Sequence, residues 1–200
     1  MPKGYDKAKP SPIVVALHHS GRLEDLFGDA GQDMADRIGV PFVCVSGSYR
    51  SGPRIFSWMH AVNPSAEAKR IDAALAALAH RITVAPGKLV IVGLGAGAQV
   101  GVEIAVRDPD RYAGAVAIAP IETTFGLDSV KPDLRERRFV IVAGPEASRK
   151  TEDLLASLDA EWLRGRGCAT MLDSVPANRL PADFVLRVPN WVRFVLEGKE

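Results

Sequence analysis

The stretch Lys88-Leu-Val-Ile-Val-Gly-Leu-Gly-Ala-Gly97 combines a short apolar run with three glycines at alternate positions. Leu89 to Val92 reads as a buried strand, and a helix is expected from roughly Ala98 to Val106. A sharp strand-to-helix turn of the pattern G-x-S-x-G exposes a serine hydroxyl for nucleophilic attack. Backbone N–H groups beside it hold the oxyanion that results. Here the middle position is Gly95, which has no hydroxyl. One donor would remain: the N–H of Ala96 at the helix start. Such donors attract carboxylates and carbonyl oxygens. Glycine also suits the turn, whose central residue is held in a backbone conformation costing about 1–3 kcal/mol for other residue types.

Other residues could join this chemistry. His18, His19 and Ser20 follow a core strand, and either histidine could polarise a ligand or serve as a base with Ser20. The competing role for His18 is a buried histidine satisfied by backbone. Two adjacent histidines supply too few ligands for a metal, so no metal site is expected. Arg50 and Arg54 could clamp an anion or lie solvated in a Gly/Ser-rich loop; Trp58 could line a cleft or fill the core. His60 and His80 read as surface or helix-end residues. Cys44 and Cys168 show no C-x-x-C or zinc spacing and read as buried thiols.

The elements that must position these groups alternate along the chain. Strands are expected at Pro12 to His18, Pro41 to Val45, Leu89 to Val92, Tyr112 to Ala119, Arg138 to Ala143 and Ala169 to Val175. Helices are expected at Gly31 to Ile38, Ser65 to about Arg81, after the glycine turn, and at Thr151 to Arg164. A last helix spans Pro181 to Leu196, kinked or broken near Pro189. Gly47 to Asn63 reads as a loop. Trp162, Trp191 and Phe194 are expected to pack the last two helices onto the sheet. The implied fold is α/β: a mainly parallel sheet flanked by helices on both faces, without a large lid domain. Residues 1–11 read as a flexible tail and 12–198 as a single domain.

Bulk properties exclude several classes. A formal charge of +1 over 200 residues gives no reason to expect nucleic acid or an anionic membrane as partner. The first ten residues lack the apolar stretch of a secretory signal, and no run approaches the ~18 apolar residues of a membrane span. A cytoplasmic protein without cofactor is the expectation; a homo-oligomer or protein partner is left open.

Three segments resemble the α/β-hydrolase superfamily, in particular compact carboxylesterases and the polyhydroxybutyrate-depolymerase-like esterases. Val14-Val-Ala-Leu-His-His-Ser-Gly21 is similar to the strand and His-Gly loop that supplies one oxyanion-hole N–H. Gly52-Pro-Arg-Ile-Phe-Ser-Trp58 resembles the loop whose tryptophan lines the cleft. Leu89 to Pro120, with Arg107-Asp-Pro-Asp-Arg-Tyr-Ala-Gly114, resembles the elbow helix and following strand. The likeness covers roughly residues 12 to 197 and implies that the family's first strands are missing. It also implies a degenerate catalytic triad. Gly95 stands for the serine, Glu146 is the nearest carboxylate for the acid, and Ala177-Asn-Arg-Leu-Pro181 places Asn178 where the histidine belongs. Neither glycine nor asparagine can perform its partner's step in acyl transfer.

The leading expectation is a non-catalytic hydrolase-fold protein acting in ligand binding or interaction. Its pocket would comprise His18, His19, Ser20, Trp58 and Ala96 and take a small ester-like or carboxylate ligand. The alternative is an active esterase or acyl hydrolase using relocated groups near His19 and Ser20. A third reading is a dinucleotide site, since Gly93, Gly95 and Ala98 match G-x-G-x-x-A, with Glu122 as a distant ribose acid. The fingerprint normally opens its domain's first βαβ unit, and two strand-helix units precede this one.

Overall fold

The computed structural model describes residues 1–19, 24–53, 55–58, 64–120, 133–143, 159–174 and 180–198. Its centre is a six-stranded sheet in the order β2-β1-β5-β6-β7-β8, formed by β1 (Ser11–Leu17), β2 (Phe42–Val45), β5 (Val84–Leu94), β6 (Tyr112–Ile118), β7 (Arg138–Ala143) and β8 (Ala169–Ser174). Every adjacent pair in it is parallel. The helices are α1 (Glu24–Ile38), α2 (Pro64–Ala77), α3 (Ala96–Arg107), α4 (residues 159–164) and α5 (Leu180–Glu197). A separate antiparallel hairpin pairs β3 (Tyr49–Gly52) with β4 (Ile55–Ser57).

The apolar runs form central strands because both faces of the sheet are covered. Side chains alternate along a strand, and here the two sets enter different cores. Ile13, Val15, Leu17, Leu89, Ile91, Phe139 and Ile141 pack with Ile71 of α2 and with Val100, Ile104 and other residues of α3. Val14, Ala16, Val90, Val92, Val140 and Val142 pack with Met34 of α1 and with Phe184, Val188 and Trp191 of α5. Fully burying one such aliphatic side chain contributes about 1.5–3 kcal/mol. The two cores therefore hold the strand ends as fixed platforms.

The expected parallel α/β sandwich is present, with local differences. α1 begins at Glu24 rather than Gly31, and α2 ends at Ala77 with a turn over 78–81. The segment read as an unbroken loop contains the β3–β4 hairpin, and α5 runs through the buried Pro189 rather than breaking there. Residues 1–10 lie against α1 and the start of β5: Gln32 Nε2 donates to Met1 O at 2.6 Å and Thr83 Oγ1 to Lys7 O at 2.8 Å. Among the described residues, no helix is long and apolar enough to cross a membrane. Trp162, Trp191 and Phe194 are buried, and His80 is exposed.

Candidate functional site

Strand order reverses direction at β1: β2 follows it on one side and β5 lies on the other. In open parallel sheets the crevice at such a reversal, beyond the carboxyl ends of the strands, is where ligands bind. His18 and His19 leave β1 at that place, and Gly95 leaves β5.

Gly95 has φ 57° and ψ −119°, a combination neither strand nor helix supplies. Its N–H donates to Ile118 O at 2.8 Å, fastening the turn to the end of β6. Its carbonyl accepts from Ala98 N at 3.0 Å and Gln99 N at 3.3 Å, which starts α3. The flanking glycines serve close approach. A Cβ on Gly93 would stand 2.2 Å from Gly97 O, and one on Gly97 would stand 2.5 Å from His18 O and 2.6 Å from Leu17 O. Gly93 and Gly97 are thus required by contacts inside the protein and Gly95 is favoured by its positive φ, without any pyrophosphate. The helix that follows stops at Asp108, whose N–H donates to Ile104 O at 3.1 Å. Pro109 disfavours helical geometry at the residue before it.

Ala96 is the first residue of α3, and helix geometry leaves its N–H without an acceptor in its own helix. The position of a side chain on residue 95 is occupied by a neighbour. An ideal Cβ there would lie 2.4 Å from His19 Cδ2, 3.1 Å from Nε2 and 3.2 Å from Cγ. The exposed imidazole of His19 stands where a side chain on residue 95 would begin.

His18 points the other way and is fully buried. Its Nε2 accepts from Gly47 N at 3.0 Å. That assigns the ring proton to Nδ1, which donates to His19 O. Burial lowers the pKa of His18 below its ordinary value; the bond to His19 O and the charge of Glu67 oppose this and are outweighed. The ring is neutral and committed at both nitrogens. Trp58, 5% exposed, donates from Nε1 to His18 O at 2.7 Å, and the two rings lie 5.1 Å apart. His18 and Trp58 therefore stand behind the elbow and fix the backbone that carries His19.

Further residues, with no signal in the sequence, complete this support. Glu67 of α2 is fully buried and accepts from Ser48 Oγ at 2.5 Å and Ser48 N at 3.2 Å. Arg70 Nε donates to Ser46 O at 3.0 Å. Together they pin the segment carrying Gly47, whose N–H holds His18. Ala119, at the end of β6, adopts φ 49°, a left-handed conformation rare for alanine. A helical glutamate ordinarily reads as a solvated charge, and no spacing rule marks Ala119.

Of the residues singled out above, the structure brings together His18, His19, Trp58, Gly95 and Ala96. Arg50 is exposed and donates from Nε to Gly52 O at 3.1 Å. Ser20, Arg54, His60, Glu122, Glu146 and Asn178 lie outside the described residues. Among the described residues, no three His, Cys, Asp or Glu side chains are grouped to hold a metal. Cys168 is buried, as expected, and desolvation raises its thiol to about 12; Cys44, expected to be buried, is instead exposed on the edge strand β2, with partial desolvation raising its thiol to about 11, so neither is a ready nucleophile.

No protein-family model matches this chain, and no curated protein matches it by sequence. Solved structures do match. A carboxylesterase from Mesorhizobium loti superposes with a TM-score of 0.70 at 20% identity, over 93% of this chain and 90% of that one. The Bacillus cereus carboxylesterase gives 0.61 at 16% identity, over 96% and 92%. A hyperthermophilic esterase from Pyrobaculum calidifontis gives 0.60 at 16% identity, over 92% and 77%. The chain has an α/β-hydrolase-like fold, similar to that of several esterases at low sequence identity.

Proposed function

We propose that this chain is an α/β-hydrolase-fold protein without serine-triad catalysis, whose elbow binds a small ester-like or carboxylate ligand. One observation carries the reading. The turn keeps the backbone of a nucleophile elbow, φ 57° and ψ −119°, while residue 95 offers only a hydrogen. Acyl transfer through a triad needs a hydroxyl within ~3 Å of a base, and Gly95 has none to give. The N–H of Ala96 at the start of a 12-residue helix remains as a donor for an anionic or carbonyl oxygen.

A second reading is an active esterase or acyl hydrolase with relocated groups near His19 and Ser20. It is favoured by the His19 ring standing beside Gly95, because an imidazole is both base and nucleophile.

Replacing Ala96 with proline separates the binding reading from an inert elbow. The first helical position tolerates proline, which removes the N–H and sets its ring Cδ where that hydrogen pointed, closing the donor site. Calorimetric titration with acetate should show binding to the wild type and none to a folded Ala96→Pro variant. Equal binding by both would defeat the reading.

A further inference from the structure

We propose that His19 determines what the elbow admits: its imidazole, rather than any group on residue 95, is the surface an entering ligand meets. The proposal rests on the ligand-binding reading above and names the residue that sets its selectivity. Cδ2 is the nearest ring atom, 2.4 Å from the Cβ position, with its bonded neighbours Nε2 and Cγ at 3.1 and 3.2 Å, so the ring takes the place of residue 95's side chain at that carbon.

The backbone beneath that ring is held from several directions. His19 O accepts from His18 Nδ1, His18 Nε2 accepts from Gly47 N, and His18 O accepts from Trp58 Nε1. His18 O also lies against the α-carbon of Gly97, where not even a methyl group would fit. Shifting the loop would break these contacts, so the ring can leave the elbow only by turning about its own side-chain bonds. The side chain at position 19 therefore sets the free space over Gly95. With the imidazole in place, the elbow suits a small carboxylate. Without it, the vacated space matches a flat ring of similar size.

Acetate and benzoate, titrated calorimetrically into wild type, His19→Ala and His19→Phe, test the role. The ratio of benzoate to acetate affinity should rise at least tenfold in His19→Ala. It should stay at the wild-type value in His19→Phe, which restores bulk without nitrogen. An unchanged ratio in His19→Ala overturns the proposal.

A second measurement needs no ligand. Gly95→Ala should lower the urea midpoint more in the wild type than in the His19→Ala background, since only the former contains the competing ring. If Gly95→Ala alone fails to fold, recovery by adding His19→Ala supports the proposal, and failure of both counts against it. Equal midpoint shifts with carboxylate binding intact overturn the role of His19 and leave the ligand reading standing. Unequal shifts with neither carboxylate bound overturn the ligand reading and with it the selectivity proposal, leaving only the packing of His19 over Gly95.

Discussion

His19 Cδ2 lies 2.4 Å from where a Cβ on Gly95 would be, so the two residues share one space and only one can fill it. Two physical preferences meet there. The turn's φ of 57° favours glycine, and a neighbouring ring closes the gap that glycine leaves. A serine placed at residue 95 would thus face two obstacles: backbone strain, and an imidazole already in the way.

Gly97 should be the least replaceable of the α3 glycines. A Cβ there meets two backbone carbonyls, at 2.5 and 2.6 Å, which cannot rotate aside. At Gly101 the nearest atom is Ile91 Cγ2 at 2.7 Å, on a side chain that can adjust. Overpacking ordinarily costs about 1–3 kcal/mol. Urea denaturation should place Gly97→Ala at or beyond the top of that range and Gly101→Ala below it. The reverse order would contradict the packing described at the end of β1.

Trp58→Phe removes one donor while keeping an aromatic ring. The His18 carbonyl it leaves behind is buried, and an unsatisfied buried acceptor costs about 1–3 kcal/mol. Chemical denaturation should show a loss in that range. A neutral result would mean that the indole N–H does not hold the histidine pair.

Stability should respond to acid through His18. Burial lowers its pKa, so the unfolded chain binds the proton more tightly than the folded one. The neutral ring's contribution is whole above the unfolded value, about 6.5, and is lost as pH falls from there toward the folded value. Wild type should lose stability in that window more steeply than His18→Gln, by up to about 1.4 kcal/mol per pH unit. Parallel pH profiles would show that His18 is not buried neutral.

The sequence announces the sheet because β1, β6, β7 and the second half of β5 are buried on both faces and read as apolar runs, whereas Val84 to Lys88 of β5, partly exposed and broken by Pro86 and Gly87, gives no such signal. The glycine spacing announces the elbow, since each glycine answers a steric demand. The β3–β4 hairpin is silent because Tyr49 and Ile55 face outward and its polar residues give no alternation. The first turns of α1 are hidden in the sequence because Gly28 and Gly31 lie within the helix and weaken its signal. The support behind the elbow is equally silent. Glu67 meets Ser48 only after folding brings α2 against the segment following β2, and no local pattern encodes that pairing.

The most direct test of the account is hydrolysis of p-nitrophenyl acetate by the purified protein, measured beside a His19→Ala/Ser20→Ala double variant. The account predicts no difference between the two and no saturation with substrate. Saturable turnover by the wild type, abolished in the double variant, would contradict it and place an active catalytic group beside Gly95.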